Sequence, residues 1–213
     1  MKGIFIVLEG IDGCGKSTQI QHLSKWLPQS GLIPEGSKLI TTREPGGTKL
    51  GNSIRELLLR NYNDNSPEPL TELLLYAADR AQHVSQVILP ALNNGHWVIS
   101  DRFSSSTMAY QGFGRDLNKR MIEKLEDIAT KGITPNLTLL LDISVTESIK
   151  RRRNNSKDRM ESEGKIFLER VSDGFKSIAR DKKWITVSSH EKEELVSKAI
   201  ENEIMKLLKK NNL

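Results

Sequence analysis

Leu8-Glu9-Gly10-Ile11-Asp12-Gly13-Cys14-Gly15-Lys16-Ser17-Thr18 is the stretch that decides how this chain reads. Inside it, Gly10-x-x-x-x-Gly15-Lys16-Ser17 matches a phosphate-binding loop. Glycines let the backbone turn tightly and aim successive N–H groups at phosphate oxygens. Gly10, Ile11, Asp12, Gly13, Cys14, Gly15, Lys16, Ser17 and Thr18 are therefore expected to cradle a nucleoside triphosphate, most simply ATP. Lys16 brings a mobile charge to the β- and γ-phosphates, and the Ser17 hydroxyl can ligate Mg²⁺. A helix starting here adds its positive end to the same anion site.

Working outward, the flanks have the order this loop requires. Gly3–Leu8 (GIFIVL) is a short apolar run with β-branched residues, the first buried strand of a parallel sheet. Ser17–Trp26 follows as a helix, with Ile20, Leu23 and Leu27 at helical spacing. After a Pro-, Gly- and Ser-rich loop over Pro28–Lys38, Leu39–Thr42 is a brief second strand. It ends in Arg43-Glu44-Pro45-Gly46-Gly47, a rigid loop that displays two ionic side chains where open α/β sheets bind ligands. An ordinary surface turn is the competing reading of that segment.

Leu50–Arg60 reads as a helix with Ile54, Leu57 and Leu58 on its inner face and Arg55 beside it. Pro69–Asn93 reads as one long helix with Leu70, Leu73, Leu74 and Ala77 as its core stripe and Pro90 as a kink. Tyr76, Arg80 and His83 share another face. An aromatic and an arginine one turn apart suit a planar base, or are a half-buried tyrosine beside a solvated arginine. His83 either borders that pocket or sits at the surface. His96–Ser100 is a third strand and delivers Asp101-Arg102. A carboxylate there is placed to hold Mg²⁺, directly or through water. The neighbouring arginine can clamp a phosphate bidentately. Ser104–Gly114 either reads a base edge through its hydroxyls and Gln111 or caps the next helix.

Leu117–Lys131 is a further amphipathic helix, Pro135–Asp142 a fully buried fourth strand, and Val145–Arg153 a helix. The latter runs into Lys150-Arg151-Arg152-Arg153-Asn154-Asn155-Ser156-Lys157-Asp158-Arg159, which is either a phosphate-gripping lid or a solvated face. Glu161–Arg180, Trp184–Val187 and Glu193–Lys210 complete the chain as helix, strand and helix. Such alternation predicts one α/β domain over residues 1–213, with a doubly wound five-stranded parallel sheet flanked by helices and right-handed crossovers. A short mobile lid is expected at about 150–163.

Bulk properties fit that picture. A chain of 213 residues suffices for one well-cored domain. No apolar run approaches the roughly 20 residues of a membrane span, and the N-terminus leads straight into a strand, so neither membrane nor targeting segment is expected. One cysteine, Cys14, rules out an internal disulfide framework and fits a reducing cytoplasm. At the loop, Cys14 reads as a tolerated small residue, against a thiol whose pKa the helix N-terminus lowers. The net charge of +5 suits two highly anionic nucleotides. No nucleic-acid partner is expected, since aromatic residues make up 5% of the chain and no RNA- or DNA-binding motif is present. The four histidines lack metal-ligand spacing.

Arginines recur at the ends of successive elements: Arg43, Arg55, Arg80, Arg102 and the lid cluster. A switch GTPase would need an Asn-Lys-x-Asp guanine-reading motif, which is missing, and a motor would need a longer chain. A small nucleotide acceptor explains a second set of cations best.

Five motifs in order then carry a family resemblance. Glu9–Ser17, Thr42–Gly47, Tyr76-Ala77-Ala78-Asp79-Arg80, Asp101-Arg102-Phe103 and Ala109-Tyr110-Gln111-Gly112 resemble the thymidylate kinases. The likeness extends to Pro135-Asn136-Leu137 and Asp158-Arg159-Met160-Glu161. It implies a P-loop NTPase of the nucleoside monophosphate kinase fold that phosphorylates dTMP to dTDP with ATP and Mg²⁺, usually as a homodimer. It also implies roles. Asp12 meets the sugar 3′-hydroxyl, Arg80 bonds the thymine edge with Thr107 and Gln111 in support, and Tyr76 stacks on the base where the family has phenylalanine. Arg55 packs near the base, Glu44 joins the acceptor set, Arg102 holds the acceptor phosphate, and Tyr110 lies beneath the ribose and crowds a 2′-hydroxyl. Ser17 and Asp101 serve the metal. Phe103 replaces the usual Tyr or His. Some members carry a basic residue in the loop where this chain has Gly13. The arrangement in which the lid delivers the catalytic arginine therefore fits better, with Arg151, Arg153 and Arg159 as candidates and Arg159 the strongest.

Overall fold

Phe5–Glu9, strand β1, is buried at every position. Such a strand can only be central, and its alternating side chains feed two cores. Ile4, Ile6 and Leu8 join the larger one, with Leu23, Leu27, Leu139, Leu141, Ile200 and Ile204. Phe5 and Val7 enter the smaller one, with Val84, Ile88, Val98 and Phe103. The Phe5 and Phe103 rings meet edge to face with centroids 5.0 Å apart.

The computed structural model describes residues 3–62, 66–152 and 159–210. Around β1 lie β2 (Leu39–Arg43), β3 (Trp97–Asp101), β4 (Leu137–Asp142) and β5 (Ile185–Ser188). They form one sheet of order β2-β3-β1-β4-β5, parallel throughout. The helices are α1 (Lys16–Gln29), α2 (Lys49–Leu59), α3 (Pro69–His83), α4 (Leu89–Asn93), α5 (Ser104–Thr107), α6 (Lys119–Thr130), α7 (Val145–Arg151), α8 (Lys165–Asp181) and α9 (Glu193–Lys210). The expected five-stranded parallel sheet is therefore present. Successive strands leave β1 on opposite sides, so the loop after β1 opens at the switch point where such sheets bind ligands. Register gathers the strand ends there: Leu8 pairs with Asp101, and Arg43 with Asp101 on the other side.

Several expectations are corrected. The long helix over Pro69–Asn93 is divided: a π-helical turn at Val84–Ile88 separates α3 from α4 just before Pro90. A proline removes its own N–H from the ladder, and the wider turn absorbs the break. Leu57, Leu70 and Leu74 are not core residues; they are 49%, 50% and 51% exposed, whereas Ile54, Leu58, Leu73 and Ala77 are buried. Ser104–Gly114 does not cap α6, whose cap is Asn118, accepting from the Met121 N–H at 3.0 Å. Instead Ser104–Thr107 and a π-turn at Met108–Gly114 bury Ser105, Ser106, Thr107, Tyr110 and Gln111. Strand β4 is buried only over Leu139–Leu141.

Candidate active site

The loop after β1 has the backbone its glycines predict. Gly10 has a φ of +138°, and a Cβ on it would meet the Leu141 carbonyl oxygen at 2.6 Å and Cys14 Sγ at 2.8 Å. Gly13, at φ +78°, lies under α7, where a Cβ would meet the Ser148 carbonyl oxygen at 3.0 Å and Arg152 Cγ at 3.1 Å. A side chain at position 13 would be strained at that φ and crowded, and Arg152, from the end of α7, packs over the glycine instead. Lys16 Nζ donates to the Gly10 and Ile11 carbonyls at 3.0 and 3.1 Å and to Cys14 Sγ at 3.7 Å. Burial pushes the Cys14 thiol up in pKa, with Lys16 opposing. That agrees with the reading of Cys14 as a small packed residue rather than an activated thiolate.

Ser17 Oγ donates to Asp101 Oδ2 at 3.1 Å. Loop and β3 thus bring together the two oxygens expected to serve Mg²⁺. Next to them Arg102 occupies a left-handed backbone conformation, φ +71°. Its guanidinium donates to the Gly10 carbonyl at 2.8 Å, Ser106 Oγ at 3.1 Å, Asp12 Oδ1 at 2.6 Å and the Tyr110 hydroxyl at 3.2 Å. It also lies 5.1 Å over the Tyr110 ring. The Tyr110 hydroxyl donates to Asp12 Oδ2 at 2.8 Å. Burial alone would raise the Asp12 pKa, but the charges of Arg102 and Lys16 and the bond from Tyr110 outweigh it and hold the carboxyl far below its usual range. Burial likewise opposes the Arg102 cation, and Asp12 more than compensates. The result is a desolvated cation fixed between two walls.

Glu9, at the end of β1, supports this arginine from behind. Its Oε1 accepts the Phe103 N–H at 3.1 Å, and its Oε2 accepts the Ser106 hydroxyl at 2.6 Å. Desolvation raises its pKa to about 7, against the Ser106 bond and the Arg102 charge.

Arg80 is buried beyond Arg102, and α3 aims it into a polar network. Its Nε donates to Glu44 Oε2 at 2.7 Å, and one terminal nitrogen to Thr107 Oγ1 and to Glu126 Oε1, both at 2.6 Å. The other terminal nitrogen donates to the Phe103 carbonyl at 3.1 Å. Four of the guanidinium's five N–H groups are thereby used. His83 is neither at the surface nor in the pocket wall. It is buried, with Nδ1 2.8 Å from Glu44 Oε1 and Nε2 2.6 Å from Thr42 Oγ1. It holds Glu44, which holds Arg80. Arg55 donates to the Pro45 carbonyl at 2.9 Å.

The basic cluster splits. Arg151 donates to the Ser189 carbonyl at 2.8 Å, and Arg152 Nε to the Ser148 carbonyl at 3.3 Å. Arg159 is held elsewhere, donating from Nε to the Leu58 carbonyl at 2.9 Å and from its terminal nitrogen to Glu72 on α3. Arg153 lies outside the described residues, as do Asn154–Asp158.

Two cavities result. One, of about 550 Å³, is lined by the loop from Asp12 to Thr18 and by Arg43, Asp101, Arg151 and Arg152. A narrower one is lined by Tyr76, Arg80, Ser106, Thr107, Tyr110, Gln111 and Met160. Asp12, Glu44, Arg55 and Arg102 line both. A third opening beside the loop is formed by Cys14, Thr18, Gln19, Arg151, Ser189 and Glu191. Sequence reasoning missed Arg152, Glu9, Glu72 and the Ser189–Glu191 segment. The Lys150–Arg153 run and the i, i+4 spacing from Ser148 were the available signal for Arg152; the others have none in local pattern.

Fold and site together define a nucleoside monophosphate kinase of the P-loop class. The profile of the thymidylate kinase family matches residues 8–200. Thymidylate kinase of Prochlorococcus marinus is 68% identical over 206 residues, spanning 96% of this chain and 94% of the relative. That of Parasynechococcus marenigrum is 58% identical over 205 residues, spanning 96% and 98%. The crystal structure of thymidylate kinase from Ehrlichia chaffeensis superposes with a TM-score of 0.74 at 31% identity, covering 96% of this chain and 99% of that one. The chain belongs to the thymidylate kinase family, enzymes that phosphorylate dTMP to dTDP with ATP.

Proposed function

We propose that this chain transfers the γ-phosphoryl group of ATP to the phosphate of dTMP, giving dTDP for dTTP synthesis, and that the two substrates meet at Arg102. One observation carries the assignment of sites: the phosphate-loop cavity and the narrow cavity share Asp12, Glu44, Arg55 and Arg102. Triphosphate on Gly10–Thr18 and a monophosphate reaching Arg102 along the narrow cavity would stand end to end beside it.

The acceptor then lies along the narrow cavity. Tyr110 supports the ribose and Asp12 bonds its 3′-hydroxyl. Tyr76 faces the base, with Arg55 and Glu44 at the cavity's shared end. At the base edge, Arg80 keeps one N–H for a ligand, and Gln111 Oε1 is buried without a partner among the described residues. A donor beside an acceptor matches O4 and N3–H of thymine. The opening formed by Arg151 and Ser189–Glu191 suits the adenine of ATP.

The attacking phosphate oxygen is already anionic, so no strong general base is needed; positioning and charge neutralisation carry the reaction. Lys16 and Arg102 neutralise the bridging and acceptor oxygens. Of the basic residues at the end of α7 and beyond, Arg151 and Arg152 line the phosphate-loop cavity, whereas Arg159 is tied to Leu58 and Glu72, so the first two are the better placed to meet a transferring group. Ser17 and Asp101 offer hard oxygen donors, which fit Mg²⁺, with substrate phosphates and water as further ligands. When bound, Mg²⁺ supplies charge stabilisation to the phosphoryl oxygens.

Large apolar side chains stay exposed on α2 (Leu50 and Leu57), on α3 beside it (Leu70 and Leu74) and on α6, which packs on α3 (Met121 and Ile128). They support a homodimer formed through this face. A cytoplasmic location fits nucleotide substrates and a free, buried Cys14. No described helix is long and apolar enough to cross a membrane.

An acceptor screen with MgATP tests the function. dTMP should be turned over fastest, with dUMP next, since one methyl contributes only about 1–3 kcal/mol. Faster turnover of dCMP or a purine monophosphate would contradict it.

A further inference from the structure

We infer that Glu72 is a positioning residue that fixes which end of the Gln111 amide meets the base, and so makes the site select a pyrimidine with an N3 hydrogen over one with an N3 lone pair. This rests on the reading of the narrow cavity as the base site.

Glu72 is fully buried on α3. Its Oε1 accepts from Gln111 Nε2 at 2.8 Å and from Arg115 Nε at 3.3 Å. Its Oε2 accepts from Arg115 at 3.1 Å and from Arg159. Burial would raise its pKa, but Arg115, Gln111 and Arg159 bring it below the ordinary value, so it is a carboxylate. A carboxylate only accepts hydrogen bonds, and therefore the NH₂ end of Gln111 must face it. The amide's two ends are opposed, so holding one decides the other. Its carbonyl oxygen is the end left over: buried, in a cavity wall, and unpartnered among the described residues. Thymine and uracil bring an N3–H to such an oxygen. Cytosine brings a lone pair, and acceptor would face acceptor. A glutamine alone, free to turn over, would meet either form of N3; the buried acid removes that freedom at N3, while the Arg80 N–H separately favours O4 over an amino group.

The test compares kcat/KM for dTMP and dCMP in the native enzyme and in Glu72→Gln. In the variant the two arginines claim the remaining carbonyl oxygen, so an amino group faces Gln111. Gln111 then turns over and offers its own NH₂ to the base. The dTMP-to-dCMP ratio should fall about tenfold, one hydrogen bond's worth, with dCMP turnover rising in absolute terms and KM for ATP unchanged. A purely structural role would lower both substrates in parallel, and that result, or an unchanged ratio, overturns the inference. Should the variant fail to fold, amide-proton NMR of the native enzyme decides. The Gln111 side-chain protons should be protected from exchange both with and without dTMP; protection appearing only on dTMP binding overturns it. Gln111→Met separates the underlying reading. If that variant turns over dTMP normally, the cavity is not the base site. If it loses dTMP turnover while Glu72→Gln keeps the ratio, only the role of Glu72 fails.

Discussion

Arg102 holds a φ of +71° that glycine would adopt without strain. The conformation survives because its neighbours fix it. The Arg102 N–H donates to the Leu8 carbonyl at 3.0 Å, and Ser100 Oγ donates to the Arg102 carbonyl at 2.7 Å. Removing its side chain would withdraw the cation proposed to hold the acceptor phosphate and leave Asp12 without its main partner. Arg102→Ala should lower kcat/KM for dTMP by at least about 10³ and reduce stability by about 1–3 kcal/mol. Steady-state kinetics and urea unfolding check the two parts, and near-native turnover would contradict the assignment. Glu9 makes a separate prediction. Its folded pKa of about 7 lies above the usual 4.5. Its contribution to stability is thus fully present below the unfolded value and is lost as pH rises through about 7. Between about pH 5 and about pH 8 the native protein should lose about 2 kcal/mol relative to Glu9→Gln in urea unfolding; parallel pH profiles would contradict this. At this scale the sequence told part of the story. Lys16, Ser17, Asp101 and Arg102 were legible because the loop and strand-end patterns are local. Glu9, Glu72 and the place of His83 were not, since a buried polar side chain takes its meaning from partners 39 or more residues away.

Among the elements, periodicity located the five strands and the longer helices, but it did not show the short helix and π-turn over 104–114 or the break within Pro69–Asn93, and it misassigned one face. Helical spacing cannot tell an apolar stripe that is buried from one that stays exposed, so Leu57, Leu70 and Leu74 read as core. Nor does it announce close helix crossings. A Cβ on Gly174 of α8 would meet the Phe113 ring at 2.7 Å, and one on Gly114 would meet Phe167 at 2.6 Å. Alanine at position 174 favours an isolated helix by about 1 kcal/mol. Here the collision should win, and Gly174→Ala should be destabilised by about 1–3 kcal/mol, visible as a lower melting temperature. A raised one would show that α8 and the 108–114 turn are packed more loosely than described. Because that turn carries Tyr110 and Gln111, KM for dTMP should rise with the loss.

For the whole molecule, the sheet order puts the phosphate loop, Asp101 and Arg102 together at the carboxyl ends of the inner strands β1 and β3, and α3 with the 104–114 segment walls the narrow cavity beside them. Alternation of strands and helices sufficed to read that architecture, but the joining of two cavities through Arg102 exists only in three dimensions. The exposed apolar side chains of α2, α3 and α6 predict that Leu57→Asp with Leu74→Asp shifts sedimentation from dimer to monomer. A native protein that sediments as a monomer would contradict the proposed homodimer. The central claim is tested most directly by a crystal structure with dTMP, Mg²⁺ and a non-hydrolysable ATP analogue bound together. It should show thymine between Tyr76 and Gln111, and the γ-phosphate and acceptor phosphate facing each other at Arg102. A pyrimidine bound away from Arg80 and Gln111, or two phosphates separated by Arg102 and facing different ways, would contradict it.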